Sequence, residues 1–202
     1  MAARVGIFGG TFDPPHLGHL ILASEALTQL HLTRLLWVLT AFPPHKLENA
    51  ITAVADRSAM LRLALAGETA FELSSVDIDR PGPHYTLDTV RLLKGQNPGD
   101  EMIMVLGGDS LHDLPDWHRP AELINDCAEI GVMRRPGDEI DLSALEARLP
   151  GLTAKVRFVE APLLEISSHE IRERIRRHQS FKYYVPPAVH EFILSHRVYQ
   201  RD

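Results

Sequence analysis

Hydrophobic positions along the chain fall into short β-rich runs separated by longer segments with helical spacing. Apolar and β-branched runs predict six strands, over residues 5–8, 35–40, 71–76, 102–106, 128–133 and 156–159. Helical periodicity occurs in residues 17–30, 55–66, 87–93, 120–125, 142–149, 168–178 and 187–195. Because strands and helices alternate in this way, the sequence predicts an α/β fold with a doubly wound, mostly parallel sheet and helices on both faces.

The predicted sheet also indicates where a ligand would bind. Open sheets of this kind bind ligands outside the carboxyl ends of their strands, where the strand order reverses. We therefore expect the loops that follow Phe8, Thr40 and Leu106 to carry function. Since no internal repeat or linker interrupts the pattern, residues 1–202 are expected to form one domain, with residues 166–202 as its C-terminal helical part.

The loop after the first predicted strand reads GGTFDPPHLGH over residues 9–19. Its leading glycines let the backbone turn tightly and approach a ligand, and the next helix points its free N–H groups toward the same space. His16 and His19 are expected on one helix face, which Gly18 leaves open. Such a pair could also bind a metal or belong to the core, but a glycine turn between strand and helix favours a phosphate site. The motif is neither a Walker A loop nor a G-x-G-x-x-G fingerprint.

A second candidate anion site lies far along the chain, in ISSHEIR over residues 166–172. Ser167 and Glu170 have the spacing of a capping box, which would by itself mark a well-formed helix start. Arg172 has a serine four residues before it and an arginine four residues after it. It therefore lacks a carboxylate on its own helix face, and a bound phosphate would supply the missing anion.

Three further loops carry candidate side chains. Lys46, in FPPHK after the second strand, presents a compact cation on a loop stiffened by prolines. Thr86 is expected to be the N-cap of a helix. Trp117 lies beyond GGDSL (residues 107–111) in a polar, proline-flanked loop, where its indole either folds back onto apolar surface or binds a ligand.

Composition narrows the classes of protein. A net charge of −6 disfavours a protein that grips a long nucleic acid, whereas 11 histidines and locally clustered arginines suit anion pockets on an acidic body. No apolar run approaches the roughly 20 residues of a membrane span, and the N-terminus lacks the pattern of a secretory signal. Cys127 is the only cysteine, so no intramolecular disulfide is possible; a buried thiol in a reducing cytoplasm is expected.

Together these motifs resemble the H-x-G-H nucleotidyltransferase superfamily. The form GGTFDPPHLGH is most similar to bacterial nicotinate-nucleotide adenylyltransferases, and the resemblance extends over nearly the whole chain. It implies a Rossmann-like fold and the transfer of AMP from ATP to nicotinate mononucleotide, giving deamido-NAD and pyrophosphate in NAD biosynthesis. It also implies Mg²⁺ bound mainly through the ATP phosphates, without a protein metal site.

The resemblance assigns residues to three groups. The catalytic group is His16, His19, Lys46 and Arg172. The ATP-binding group is Gly9, Gly10, Thr11, Phe12, Gly107, Asp109, Ile166, Ser167, Ser168 and, in the loop after the fifth strand, Arg134. The acceptor-binding group is Tyr85, Thr86 and Trp117. His169 stands where the family has Thr or Ser, so its role stays open.

Alternatives remain at this stage. One is a sibling enzyme that adenylylates pantetheine phosphate, which the Pro-Pro-His of the first motif, the Trp117 loop and the chain length disfavour. Others are an enzyme that prefers the amide nucleotide and a nucleotide-sensing module without turnover. The oligomeric state is open, a homodimer being one option.

Overall fold

The computed structural model describes residues 2–41, 51–134, 140–162 and 164–200. Its strands are β1 (Arg4–Gly10), β2 (Arg34–Leu39), β3 (Phe71–Ser74), β4 (Glu101–Gly107), β5 (Glu129–Arg134) and β6 (Val156–Glu160). They form one sheet in the order β3-β2-β1-β4-β5-β6, and every neighbouring pair is parallel. The predicted doubly wound sheet is confirmed, and its strand order is that of a Rossmann fold.

Nine helices flank these strands in the described part of the chain. They are α1 (Leu17–Gln29), α2 (Val54–Ala64), α3 (Thr86–Gln96), α4 (Gly108–Asp113), α5 (Pro120–Asp126), α6 (Leu142–Arg148), α7 (Leu152–Lys155), α8 (Ser168–Arg176) and α9 (Pro187–His196). A single 3₁₀ turn, Leu114–Asp116, follows α4. The sequence did not predict α4 and α7, because helices of 6 and 4 residues are too short to show a periodic pattern.

The apolar core lies on both faces of the sheet. Val5 and Ile7 of β1 pack in a cluster with residues of α3 and α5, whereas Phe8 packs in another cluster with residues of α1 and α2. Neighbouring residues of a strand point to opposite faces, so the two clusters lie on opposite sides of the sheet. A third cluster joins α2 to α8 and α9, which brings the second motif beside α2.

The chain order reverses between β1 and β4. These strands lie next to each other, but the chain leaves β1 toward β2 and leaves β4 toward β5, on opposite sides. A crevice is therefore expected outside their carboxyl ends, near Gly10 and Gly107. Among the described residues, no helix combines the length and apolar character needed to cross a bilayer. The organisation of residues 1–202 as one domain stays a prediction.

Candidate active site

A cavity of about 630 Å³ opens at this reversal point. The residues predicted from the sequence that line it are Gly9, Gly10, Thr11, Phe12, His16, His19, Thr86, Gly107, Asp109, Trp117, Ile166, Ser167, Ser168 and Arg172. His169, whose role was left open, also lines the cavity. Tyr85 does not: its ring stacks on His118, with centroids 4.0 Å apart. Lys46 and the side chain of Arg134 lie outside the described residues.

His16 and His19 cap the start of α1 through two reciprocal hydrogen bonds, each from the backbone amide of one residue to the ring of the other. The Nδ1 atom of His16 accepts from the backbone N–H of His19 at 3.3 Å, and Nδ1 of His19 accepts from the backbone N–H of His16 at 3.2 Å. Their rings stack with centroids 3.6 Å apart, which confirms that both lie on one face. A backbone amide only donates, so both Nδ1 atoms must be unprotonated in this arrangement and each ring proton sits on Nε2. Each imidazole is thereby a neutral Nε2–H donor.

This arrangement corrects one expectation about α1. The helix was expected to point free N–H groups at the ligand, but the amide of Leu17 donates to the carbonyl of Tyr184 at 2.9 Å. The amide of His19 is held by the His16 ring. Buried amides at a helix start need partners, and here the protein supplies two of them itself.

The glycines of the first motif make room for rings. A Cβ at Gly18 would lie 3.0 Å from Nδ1 and 3.1 Å from Cε1 of His16, so the face that was expected to be open is covered by that imidazole. A Cβ at Gly10 would lie 2.9 Å from Cζ of Phe12. By contrast, a Cβ at Gly9 or Gly107 would meet nothing within 4 Å. These two glycines, at the ends of adjacent strands, leave the cavity wall as bare backbone.

Phe12 takes the unusual backbone conformation in this loop. Its φ of 45° lies in the left-handed region, which costs a non-glycine residue about 1–2 kcal/mol. Its side chain is only 2% exposed and packs against Phe8, Trp37 and His19, with ring centroids 5.5, 5.2 and 5.1 Å away. Burial of the ring therefore holds a strained residue in the cavity wall, as is common at functional sites.

Behind the cavity wall lies a buried cation that the sequence analysis missed. Arg57 of α2 is 1% exposed and donates to the carbonyls of Thr52 at 2.8 Å, Thr11 at 3.0 Å, and Thr40 and Ala41 at 2.9 Å each. Burial lowers the pKa of Arg57, although a nearby carboxylate opposes the shift. Three of its four partners lie 16 or more residues away, so the sequence around Arg57 does not reveal them.

The opposing carboxylate is that of Asp13, which is 5% exposed. It accepts from the hydroxyl of Tyr199 at 2.7 Å and from the amide of Thr52 at 3.3 Å. Burial raises the pKa of Tyr199, and the charge of Asp13 adds to the shift, so the hydroxyl remains protonated and donates. The first motif is thus anchored to a residue 186 positions further along the chain.

The two predicted anion sites meet directly. Nη1 of Arg172 donates to the carbonyl of Asp13 at 2.7 Å, and Oγ of Ser168 donates to the carbonyl of Pro14 at 2.9 Å. Arg172 thus bonds a carbonyl of the first motif, with no carboxylate partner seen in the described part of the chain. The histidines and the guanidinium therefore line one cavity rather than opposite sides of the molecule.

The predicted capping box of α8 is confirmed in only one of its two bonds. Oγ of Ser167 accepts from the amide of Glu170 at 3.1 Å. The carboxylate of Glu170 instead pairs with Arg174, at 3.0 Å. A hydroxyl that accepts still has its own proton, so Ser167 can also donate to an anion.

The cavity lining also includes two of the three predicted acceptor residues, Thr86 and Trp117. Thr86 is the first residue of α3 and the N-cap is Tyr85, so the expected cap role of Thr86 is wrong. Trp117 is half-buried, packs against the core and lines the cavity, so its indole does fold back onto apolar surface, and ligand binding by its cavity-facing part stays a prediction. Three buried polar residues of the cavity lining were not predicted: Asp77, His84 and Thr89, each less than 5% exposed.

These three residues belong to a polar cluster built around Arg80. Oδ1 of Asp77 accepts from Arg80 at 2.9 Å and from the hydroxyl of Thr89 at 2.7 Å, and Nε2 of His84 lies 3.1 Å from the carbonyl of Arg80. The charge of Asp77 is therefore balanced within the protein. The sequence does not indicate this cluster. Asp77, Arg80 and His84 lie in the loop after β3 and Thr89 lies in α3, and these side chains meet only in the folded chain.

Two other possibilities were a metal site formed by His16 and His19 and a reactive thiol at Cys127. In the part of the chain that the structure describes, no group of three or more His, Cys, Asp or Glu side chains is placed to hold a metal ion. Cys127 is buried, and burial raises the pKa of its thiol to about 12. It is therefore the small buried hydrophobe that the sequence predicted.

Residues 7–174 match the family model described as cytidylyltransferase-like. The chain belongs to this family. A relative from Thermomicrobium roseum, named "Probable nicotinate-nucleotide adenylyltransferase", is 45% identical over 98% of this chain and 92% of its own length. One of the same name from Geobacillus kaustophilus is 41% identical over 97% of this chain and 86% of its own length. The resemblance stated from the motifs is confirmed.

Solved structures support the same fold. Nicotinic acid mononucleotide adenylyltransferase of Plasmodium falciparum, complexed with NaAD, superposes with a TM-score of 0.80 at 18% identity over 99% of this chain and 98% of that chain. A putative nicotinate-nucleotide adenylyltransferase of Vibrio parahaemolyticus gives a TM-score of 0.68 at 15% identity over 100% of this chain and 98% of that chain. At these identities the match shows the fold alone, which these proteins share with this chain despite very different sequences.

Proposed function

We propose that this protein transfers AMP from ATP to nicotinate mononucleotide, forming deamido-NAD and releasing pyrophosphate. The names of the relatives from T. roseum and G. kaustophilus and the NaAD in the P. falciparum structure support this activity. The observation that carries the proposal is the pair of hydrogen bonds from Arg172 and Ser168 to the carbonyls of Asp13 and Pro14. These bonds join the motif of residues 9–19 to that of residues 166–172, so both line one cavity suited to a triphosphate.

The reaction is an in-line displacement at the α-phosphorus of ATP. An oxygen of the acceptor's 5′-phosphate forms the new P–O bond, while the bond to the bridging oxygen breaks and pyrophosphate leaves with its electron pair. The nucleophile is already an anion near neutral pH, because the second pKa of a phosphomonoester is about 6. No general base is needed, so catalysis rests on positioning and on neutralising charge.

Four side chains would bind the triphosphate, two as neutral hydrogen-bond donors and two as cations. His16 and His19 donate through Nε2–H, and Arg172 contributes a guanidinium from α8. Lys46, which lies outside the described residues, would add a second cation. Mg²⁺ would bind mainly to phosphate oxygens and water and neutralise further charge.

ATP would lie along the strand ends. The bare backbone at Gly9 and Gly107 allows close approach, with Gly10, Thr11 and Phe12 beneath the phosphates. The remaining ATP contacts of the proposal are Asp109, Ile166, Ser167, Ser168 and Arg134. The hydroxyl of Ser167 can donate to a phosphate, whereas that of Ser168 is engaged by Pro14.

The nicotinate ring would bind at the other end, against Trp117, with its carboxylate at the start of α3 near Tyr85 and Thr86. A helix N-terminus favours a carboxylate over a neutral carboxamide. The one buried carboxylate nearby in the described structure, Asp77, is paired with Arg80 and so repels the ligand little. We therefore expect the acid nucleotide to be the better acceptor.

The decisive test offers three acceptors in parallel: nicotinate mononucleotide, its amide and pantetheine phosphate, each with MgATP and pyrophosphate release as readout. The acid should give the highest kcat/KM. Equal rates with acid and amide would contradict the acceptor assignment, and preference for pantetheine phosphate would replace the proposed activity. ATP binding without turnover on any acceptor would favour a nucleotide sensor.

We also propose that the enzyme is cytoplasmic, since the free, buried thiol of Cys127 suits a reducing compartment. Its oligomeric state is left open between monomer and homodimer, which sedimentation of the purified chain would decide.

A further inference from the structure

The residue that organises the cavity wall does not itself line the cavity. Arg57 lies behind it, and its guanidinium holds carbonyls from three places: Thr11 in the first motif, Thr40 and Ala41 after β2, and Thr52 before α2. Arginine presents five N–H donors in a rigid planar fork, which suits several acceptors at once. A lysine ammonium, with three donors on a flexible stem, could not hold all four carbonyls in this geometry.

The bond to Thr11 fixes the direction of a peptide group in the cavity wall. In a trans peptide the carbonyl and the following N–H point in opposite directions. Since the Thr11 carbonyl points back to Arg57, the amide of Phe12 points away from Arg57, toward the side on which the cavity lies. Phe12 is the strained residue with φ of 45°, so its conformation has two anchors: the buried ring on one side and Arg57 on the other.

A buried cation needs compensation, and here it comes from the same loop. The carboxylate of Asp13 faces Arg57, and it is held in turn by the hydroxyl of Tyr199. The carbonyl of Asp13 receives Arg172 at 2.7 Å. One residue of the first motif thus lies between a buried guanidinium that shapes the loop and a second guanidinium that lines the cavity.

We propose that Arg57 is a positioning residue for adenylyl transfer, which holds the backbone of residues 11–13 in the conformation that receives the triphosphate. The inference rests on the proposed function, because it assigns that loop to ATP. It requires that loss of Arg57 impair ATP use specifically and leave the acceptor end of the cavity intact.

The test compares Arg57→Met and Arg57→Lys with Arg62→Met, a control at an exposed arginine of the same helix. A displacement of about 1 Å in a catalytic group costs about a hundredfold in rate. We expect kcat/KM for ATP to fall by about that factor in Arg57→Met, with KM for the acceptor unchanged and little rescue in Arg57→Lys. Methylguanidine added to Arg57→Ala, whose truncated side chain leaves space for it, should restore part of the rate. The control should match the wild type.

Several outcomes would overturn the inference. One is an Arg57→Met variant with a lower melting temperature but the wild-type kcat and KM for ATP, and another is equal impairment of both substrates. If Arg57→Met does not fold, Tyr199→Phe provides the test. This variant removes the hydroxyl that donates to the Asp13 carboxylate, and it should raise KM for ATP selectively. Unchanged ATP kinetics would contradict the proposed network. A wild-type chain without adenylyl transfer refutes the proposed function instead, so the two failures are distinguishable.

Discussion

The most direct test of the first motif is a substitution that adds a single methyl group at Gly18. Gly18→Ala places a Cβ 3.0 Å from Nδ1 and 3.1 Å from Cε1 of His16, while its next neighbour, the carbonyl oxygen of Ile166, lies at an ordinary 3.7 Å. The His16 ring must therefore move by a few tenths of an ångström. Movement of this ring lengthens its 3.3 Å hydrogen bond to the amide of His19 and disturbs the stack between the two imidazoles.

Stability and activity should respond differently. Alanine in place of glycine inside a helix gains about 1 kcal/mol, whereas loss of an N-cap hydrogen bond costs about 1 kcal/mol. The two effects nearly cancel, so the melting temperature should change little. Turnover should still fall, by up to about a hundredfold, since catalysis depends on positions held to within about 1 Å.

Gly95→Ala provides the matched control. Gly95 lies on the exposed side of α3, and a Cβ there meets nothing within 4 Å. This variant should gain up to about 1 kcal/mol, or about 2–4 °C in melting temperature, with unchanged kcat. Thermal unfolding and pyrophosphate release on the same preparations complete the comparison. Wild-type turnover in Gly18→Ala would refute the reasoning that the His16 ring must occupy this space.

Two further predictions concern an aromatic side chain and a thiol. Trp117→Ala should raise the acceptor KM by about 5- to 150-fold, the equivalent of about 1–3 kcal/mol of ring stacking, and leave KM for ATP unchanged; an effect confined to ATP would contradict the assignment. Burial raises the pKa of Cys127 from 9.0 to about 12, so the stability linked to its neutral thiol is complete below pH 9 and is lost as the pH rises toward 12. The loss should reach about 4 kcal/mol, at about 1.4 kcal/mol for each pH unit. Denaturant unfolding at several alkaline pH values should show it in the wild type and not in Cys127→Ala; identical pH profiles would contradict the burial argument.

Much of the fold and of the cavity could be predicted because short stretches of sequence indicate it. The run Val5–Phe8 is apolar enough to mark a central strand, and the glycines after it mark the turn into α1. His16, His19 and Arg172 stand in motifs whose residue types already suit phosphate, and the structure brings them to one cavity. Their roles in binding and catalysis stay predictions that the experiments above address.

What could not be predicted depends on contacts across the sheet. Arg57 occurs in a helix like many solvated arginines, and only the meeting of two loops with α2 reveals its four carbonyl partners. Asp77 and Thr89 join only when α3 packs beside the loop after β3. The open face expected at Gly18 was wrong for a different, local reason, since the position of the His16 ring follows from capping geometry rather than from residue type.

The bond between Tyr199 and Asp13 has a consequence for synthesis. A ribosome completes β1 and the loop after it early, but the tyrosine that anchors this loop is added 186 residues later. Domains begin to fold while synthesis proceeds, so most of the sheet can assemble before that anchor emerges. A nascent chain stalled short of Tyr199 should therefore have most of its sheet assembled and still be unable to use ATP efficiently.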